Sequence, residues 1–195
     1  ADLGCGIGAD SLEFARASLA TVSVELDPLT ASFAAANLAD FSGSRVVVGD
    51  VTNFNPESFR DGNGKVVQGI WLDPARRDLT GVVKSRTERI FDPEAYSPPL
   101  SFVVDLARTG MPMGVKLGPG MPHEAIARPE DIRSEANPHP RVTAQWVEHE
   151  GSLVELVLWF NALAQEGVAR TVTVLRQEAT GQAEDKGLRI HKTTL

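Results

Sequence analysis

The sequence predicts one α/β domain built on a doubly wound, mostly parallel sheet. Strand-like apolar runs alternate with helix-like segments, and this alternation is typical of a parallel sheet covered by helices on both faces. A glycine-rich loop joins the first strand to the first helix, which favours the same fold. The length of 195 residues suits one domain of this kind.

The parallel part of the sheet is predicted from five strands and three helices. The strands are 1–3, 21–26, 45–48, 69–72 and 113–117, and the helices are 11–19, 28–39 and 98–108. Asp27-Pro28 begins the second helix, because proline suits a first helical turn, and Gly110 ends the third. The first strand has only three residues where about five are usual, so we expect it to be truncated.

Three further β-type runs follow at 142–148, 153–160 and 170–176. The tight turn at Glu150-Gly151-Ser152 predicts that these later strands form an antiparallel edge. After residue 176 the chain is polar and lacks a hydrophobic pattern. We therefore expect a domain over residues 1–176 and a polar linker over 177–195 that leads toward an absent C-terminal domain.

The composition limits the classes of partner. The net charge of −7 and the pI of about 5.1 argue against a surface built as a whole to bind nucleic acid. The single cysteine and the four histidines show no ligand spacing, so we predict no metal site. No apolar run is long enough to cross a bilayer, and we expect a cytoplasmic protein.

The glycine loop covers residues 2–10, between the first predicted strand and helix. Its glycines allow a tight turn and let a ligand approach the N-terminus of the helix closely. Glu25 follows about 20 residues later, at the end of the second strand, where an acid can bind both hydroxyls of a ribose. Gly4, Gly6 and Ala9 also fit a dinucleotide pattern, so spacing alone leaves two ligand classes open.

Two acids in this loop distinguish the two ligand classes. A pyrophosphate would meet Asp2 and Asp10, and like charges about 4 Å apart repel by several kcal/mol at an effective dielectric of about 20. S-adenosylmethionine has no phosphate, and it carries a cationic sulfonium and a cationic ammonium group. The loop therefore favours S-adenosylmethionine, with an NAD-type oxidoreductase as the alternative.

Four motifs, each at the end of a predicted strand, resemble those of class I S-adenosylmethionine-dependent methyltransferases. They are Asp2-x-Gly4-x-Gly6-x-Gly8, Val24-Glu25-Leu26-Asp27, Gly49-Asp50-Val51 and Asp73-Pro74-Ala75-Arg76. The resemblance implies a Rossmann-like methyltransferase sheet and S-adenosylmethionine as the cofactor. The form Asp-Pro-Ala-Arg-Arg in the fourth motif looks like that of bacterial methyltransferases with a C-terminal THUMP-like domain.

The resemblance also implies roles for the residues of the first three motifs. The loop would hold the methionine part of the cofactor through Asp2, Gly4, Gly6, Gly8 and Asp10. Glu25 would bind the ribose. Asp50 would accept a hydrogen bond from the adenine amino group, and Val51 would pack on the adenine ring.

The fourth motif is the predicted catalytic site, because it would lie beside the methyl group of the cofactor. Asp73 would accept a hydrogen bond from a target amine and the Pro74 carbonyl would accept a second one, which orients the nitrogen lone pair. Arg76 stands where many amine-methylating relatives have an aromatic residue, and an arginine plane can also stack on a base.

A basic cluster begins with the last residue of the fourth motif in this acidic chain. It consists of Arg76, Arg77, Lys84, Arg86 and Arg89. As a rim that faces phosphates the cluster would bind RNA, and as a solvated loop it would have no function. Lys116 ends the fifth predicted strand, where it would pair with Asp73, contact the substrate or remain a surface lysine.

These observations predict an enzyme that transfers a methyl group from S-adenosylmethionine to a nitrogen of an RNA base. Arg76, Arg77 and Lys116 are the predicted substrate-binding residues. A small-molecule acceptor stays open, and so does an inactive module that binds cofactor or RNA. The sequence leaves the oligomeric state open.

Overall fold

A computed structural model of the chain describes residues 1–75, 92–177 and 188–194. In this part of the chain the strands are β1 (Asp2–Leu3), β2 (Thr21–Glu25), β3 (Ser44–Val48), β4 (Ile70–Leu72), β5 (Met113–Leu117), β6 (Val142–His149), β7 (Ser152–Phe160), β8 (Arg170–Gln177) and β9 (Leu188–Thr194). The α-helices there are α1 (Ala9–Arg16), α2 (Pro28–Asn37) and α3 (Leu100–Ala107).

The nine described strands form one sheet in the order β3-β2-β1-β4-β5-β7-β6-β8-β9. Strands β1 to β5 are parallel, and β8 is parallel to β6. Strand β7 is antiparallel to both of its neighbours, and β9 forms an antiparallel edge beside β8. The predicted doubly wound, mostly parallel sheet with an antiparallel edge strand is therefore confirmed.

The order of the strands reverses between β1 and β4, since β2 and β3 lie on one side of β1 while β4 and β5 lie on the other. Crossovers between parallel strands are right-handed, so helices that connect strands on opposite sides of the reversal lie on opposite faces of the sheet. Helix α1 connects β1 to β2, and α3 connects β4 to β5. Ligands of such sheets bind at this reversal, outside the carboxyl ends of the strands.

The two faces of the sheet are packed differently. Leu72 and Val115 are fully buried in the same apolar cluster as Val103 of α3. On the other face, the indole of Trp71 packs edge-on against Phe14 of α1, with ring centroids 5.8 Å apart. The face that carries Trp71 is also the face of the site described below.

A glycine in β5 makes room for two indoles on the α1 face. The rings of Trp71 and Trp159 lie 5.9 Å apart, centroid to centroid. A Cβ atom at Gly114 would come within 2.8 Å of ring atoms of both tryptophans. Only glycine fits this position without a shift of an indole.

Two expectations about secondary structure are corrected. The first helix ends at Arg16 rather than at residue 19, because Ser18 adopts a left-handed conformation with φ of 64°. Residues 188–194, which we expected to belong to a polar linker, form β9. The described side chains of this strand, Ile190 to Thr194, are all exposed, and they show no apolar alternation.

No helix in the described parts of the chain is long and apolar enough to cross a membrane.

Candidate functional site

The motif residues that the structure describes meet at the carboxyl ends of the parallel strands. The glycine loop follows β1, Glu25 ends β2, Asp50 follows β3 and Asp73 follows β4. These strands are neighbours at the reversal of the sheet, so residues from distant parts of the sequence lie along one edge. Arg76 and Arg77, together with the rest of the basic cluster, lie outside the described residues.

The loop after β1 requires glycine at three alternate positions. Gly4, Gly6 and Gly8 have φ angles of 76°, 56° and 81°, a region that side chains disfavour. The amides of Gly4 and Cys5 both donate to the carbonyl of Val24, at 2.9 and 3.0 Å. These bonds hold the start of the loop against the end of β2.

Gly8 also allows α2 to pack closely on the loop. A Cβ atom at Gly8 would lie 3.2 Å from the Cβ of Ala34 and 3.3 Å from its Cα. Asn37 of α2 donates from its side chain to the Ile7 carbonyl at 2.8 Å. Helix α2 therefore supports the loop from its outer side.

The carboxylate of Glu25 ties the loop to the turn that begins α2. Its Oε2 accepts from the Gly6 amide at 2.9 Å, and its Oε1 accepts from the Asp27 amide at 2.9 Å. A carboxylate has about four acceptor positions, so both oxygens keep capacity for a further donor such as a ribose hydroxyl.

Asp2 lies within the interface of β1, β2 and α1 and is only 1% exposed. It accepts a short hydrogen bond from the Ser11 hydroxyl, which in turn lies 2.7 Å from that of Ser23. Burial raises the pKa of Asp2 to about 6, against the opposing effect of the bond from Ser11. The side chain of Asp2 is therefore buried behind the loop and does not reach the surface. Its carboxylate is still close enough to place a negative charge near the loop.

Lys116 joins Asp10 of α1 to Asp73 after β4. Its Nζ lies 2.7 Å from Oδ2 of Asp10 and 2.9 Å from Oδ2 of Asp73. Burial alone lowers the pKa of Lys116, but the hydrogen bonds and charges of the two acids outweigh it and raise that pKa above its usual value. Lys116 is therefore an ammonium group. The sequence allowed it to pair with Asp73, to contact the substrate or to remain a surface lysine, and the structure shows the pair with Asp73.

The ammonium separates two carboxylates that would otherwise repel each other. Its two distances place the Oδ2 atoms of Asp10 and Asp73 at most about 5.6 Å apart. Two unit charges at this distance repel by about 3 kcal/mol at an effective dielectric of about 20. The three side chains are between 21% and 35% exposed, so water screens them only in part.

The peptide after β4 is fixed on both sides. Ala75 and Ser97 exchange two backbone hydrogen bonds, at 2.8 and 3.0 Å. On the other side, the Asp73 carbonyl lies close to Gly4, where an added Cβ would be 3.6 Å away. Asp73 and the buried Pro74 are therefore held next to the glycine loop.

Asp50 and Val51 lie after β3, where the third motif predicts them. Asp50 is exposed, and its Oδ1 accepts from the Thr52 amide at 2.8 Å. The backbone bond from Thr52, followed by one from its side chain, lowers the pKa of Asp50. Val51 is half-buried and packs against the core.

Trp71 is a site residue that the sequence analysis missed. Its indole Nε1 donates to Oδ2 of Asp10 at 2.9 Å, the same oxygen that binds Lys116. The residue stands two positions before Asp73, so strand alternation places both on one face. The spacing of two residues between Trp71 and Asp73 is the sequence feature that could have identified Trp71. The space for the indole, however, comes from Gly114, which pairs with Trp71 in the neighbouring strand.

Among the described residues, no group of three or more histidine, cysteine, aspartate or glutamate side chains is arranged to hold a metal ion. The described carboxylates of the site are those of Asp2, Asp10, Glu25, Asp50 and Asp73. Lys116 is the only described cation that contacts any of them through its side chain. The site is therefore acidic, and it favours a ligand with positive charge.

Comparisons with known proteins show likenesses in structure only. No family model matches the chain, and no curated protein matches it in sequence. A TehB-like SAM-dependent methyltransferase from Corynebacterium glutamicum aligns at 18% identity over 82% of this chain and 77% of its own, with a TM-score of 0.42.

Two further solved structures align over about half of their own length. DNMT2 from Spodoptera frugiperda, as a mutant, is 12% identical over 92% of this chain and 54% of its own, with a TM-score of 0.49. A variant of MtNAS in complex with S-adenosylmethionine is 14% identical over 82% of this chain and 52% of its own, with a TM-score of 0.44.

Proposed function

We propose that this chain is the catalytic domain of an S-adenosylmethionine-dependent methyltransferase that acts on a nitrogen of an RNA base. The observation that carries the proposal is the acidity around the glycine loop. Glu25 binds the loop directly, Asp2 lies behind it, and Asp10 and Asp73 lie beside it. This arrangement suits a donor whose sulfonium and ammonium groups are both positive.

The alternative ligand, a dinucleotide, fits the site less well for two reasons. Its pyrophosphate would approach the negative charges of Asp2 and Asp10, which repel it. Lys116 is the described cation nearest to these charges, and Asp10 and Asp73 already engage it. The sheet also departs from the dinucleotide-binding order 3-2-1-4-5-6, because the antiparallel β7 lies between β5 and β6.

The residues of the first three motifs fit the parts of this donor. The loop over Gly4, Gly6 and Gly8 offers backbone that a ligand can approach closely, and Glu25 keeps acceptor capacity for the ribose hydroxyls. Asp50 is exposed at the end of β3, where it would accept from the adenine amino group, and Val51 would pack on the ring. The bound donor supplies an electrophilic methyl group on its sulfonium.

Asp73 and Pro74 would orient the acceptor. Lys116 engages Oδ2 of Asp73, and we assign the other carboxylate oxygen, with the Pro74 carbonyl, to two N–H donors of a target amine. The nitrogen lone pair then points toward the methyl group, which is the main requirement of an in-line displacement. A nitrogen–carbon bond forms, the carbon–sulfur bond breaks, and the nitrogen loses a proton to solvent.

The chemistry of the lone cysteine supports nitrogen rather than carbon as the target, since methylation of a base at C5 uses a cysteine nucleophile. Burial, followed by the charges of Asp2 and Glu25, raises the pKa of Cys5 to about 12. Its thiol therefore stays protonated at neutral pH and is a poor nucleophile.

RNA as the substrate is supported by the sequence alone. A cluster of five basic residues begins with the last residue of the fourth motif in an otherwise acidic chain, namely Arg76, Arg77, Lys84, Arg86 and Arg89. We propose that they contact phosphates and that Arg76 stacks on the target base in place of an aromatic residue.

The test is methyl transfer from tritium-labelled S-adenosylmethionine to total cellular RNA, followed by nuclease digestion and mass spectrometry of the nucleosides. We expect a labelled N-methyl nucleoside with the wild type and with Asp40→Ala, which changes an exposed acid after α2. Asp73→Ala should bind S-adenosylhomocysteine but transfer no label.

Two results would contradict parts of the proposal. Normal turnover by Asp73→Ala would remove this residue from the catalytic site. Binding of S-adenosylhomocysteine without label in any nucleoside would exclude RNA as the acceptor and direct the search to small molecules.

A further inference from the structure

The position of Lys116 is unusual for a site that would bind a cationic donor. Its ammonium group lies 2.7 Å from Asp10, which stands two residues after Gly8, and 2.9 Å from Asp73 on the acceptor side. A positive charge is thus held between an acid next to the glycine loop and an acid of the proposed catalytic motif. Lys116 cannot turn away easily, because both carboxylates hold it and it is only 21% exposed.

The surroundings of Lys116 explain why its charge would be felt inside the site. Trp71 contacts this ion pair, because its Nε1 donates to the same Asp10 oxygen that binds Lys116. The indole in turn packs against both Phe14 and Trp159. This apolar packing keeps water from part of the cluster, and a charge in such surroundings is screened less than one in bulk solvent.

The charge balance has a direct consequence for the donor and its product. S-adenosylmethionine and S-adenosylhomocysteine share the adenosine, the carboxylate and the ammonium group, and they differ by the methyl group and the positive charge on sulfur. Asp10 and Asp73 attract that charge, whereas Lys116 opposes it. The difference in affinity between the two ligands therefore depends on the charge at residue 116.

We propose that Lys116 is a specificity-determining residue that limits the preference of this site for the cationic donor over the neutral product. The proposal rests on the proposed function, since it requires that the site binds both ligands. Without Lys116, the two carboxylates would hold the sulfonium more strongly relative to the thioether. With Lys116, the charges of Asp10, Asp73 and Lys116 sum to about −1. The attraction of the site for the positive sulfur of the donor is then weaker than it would be with the two carboxylates alone.

The test is calorimetric titration of the protein with S-adenosylmethionine and, separately, with S-adenosylhomocysteine at pH 8. The measured quantity is the Kd for the product divided by the Kd for the donor. We expect this ratio to rise in Lys116→Met by roughly 6-fold to 30-fold, the range for unit charges about 8 Å apart at effective dielectrics of about 40 to 20. Lys116→Gln, which keeps hydrogen-bond donors but not the charge, should give the same rise.

Three controls separate charge from packing. Lys116→Arg keeps the charge and should keep the ratio within about twofold of the wild type. The double variant Asp10→Asn with Lys116→Met restores the net charge near −1 and should bring the ratio back toward that of the wild type. Lys65→Met removes an exposed lysine in a loop and should leave the ratio unchanged.

The titrations separate the role of Lys116 from the ability of the site to bind S-adenosylmethionine. If Lys116→Met weakens both ligands equally, so that the ratio stays within twofold, Lys116 has a structural role only and this proposal is wrong while the proposed function stands. A ratio that rises equally in Lys116→Arg would also overturn the proposal. If the wild type binds neither ligand, the proposed function itself fails, and this inference fails with it.

Discussion

Replacement of Asp2 by asparagine tests the energetic cost of the buried carboxylate behind the glycine loop. Asp2 is 1% exposed, and its pKa rises from the ordinary value of 3.8 to about 6 in the folded protein. The gap of about two pKa units corresponds to about 3 kcal/mol. Because the folded state binds this proton more tightly than the unfolded chain does, the stabilisation is complete below about pH 4 and is lost as the pH rises through about 6.

The assay is urea unfolding of the wild type and of Asp2→Asn at several pH values from 4 to 8. We expect the free energy of unfolding of the wild type, relative to that of the variant, to fall by about 3 kcal/mol between about pH 4 and pH 7. Titrating groups that do not interact with Asp2 are common to both proteins and cancel in the difference. Asp40→Asn, at an exposed position, serves as the matched control and should follow the wild type. A difference that is flat with pH, or that grows in the opposite direction, would refute the assignment of a destabilised carboxylate at Asp2.

Further predictions concern the loop and its support. Gly114→Ala would bring a Cβ within 2.8 Å of two indoles and should lower the free energy of unfolding by about 1–3 kcal/mol, whereas Gly120→Ala meets open space and should change it little in thermal denaturation. Gly8→Ala strains a backbone with φ of 81° against Ala34 and should weaken binding of S-adenosylhomocysteine in calorimetry, and unchanged binding would contradict the role of the loop. Glu25→Gln removes the charge from two hydrogen bonds and should weaken that binding about tenfold, and equal affinity would exclude Glu25 from the site.

The clustering of the motif residues was predictable because it follows from strand order. Glu25 and the glycine loop each follow a strand of a parallel sheet, and the carboxyl ends of such strands share one edge. The hairpin between β6 and β7 was equally accessible from the sequence. Glu150 and Gly151 both have positive φ, at 49° and 86°, which is the geometry of a two-residue turn that ends with glycine.

Contacts set by long-range register were not predictable. The bond from Trp71 to Asp10 joins residues 61 positions apart, and it needs Gly114 of a third element below the indole. The burial of Asp2 depends in the same way on Ser11 and Ser23 from two other elements. Sequence patterns place an acid at the end of a strand, but they do not show whether its side chain faces a ligand or the core.

The place of β7 and the existence of β9 were decided by tertiary pairing. The tight turn between β6 and β7 predicts that these two strands are neighbours, but it does not say which of them pairs with β5. In the structure β7 pairs with β5. Strand β9 pairs with β8 from Gln177 opposite Leu188 to Thr171 opposite Thr194, although its exposed residues carry no apolar alternation. Backbone pairing, with a hydrogen bond from the Thr171 hydroxyl to the Thr193 carbonyl, holds this edge, and backbone pairing leaves no pattern in the sequence.

The central claim is that the acidic glycine loop binds S-adenosylmethionine rather than a dinucleotide. The most direct test is calorimetric titration of the protein with S-adenosylhomocysteine and, in separate experiments, with NAD. We expect binding of S-adenosylhomocysteine at micromolar concentration and no binding of NAD. Binding of NAD alone would contradict the argument from charge and would make the protein an oxidoreductase candidate, and binding of neither ligand would leave the loop as a turn with no cofactor.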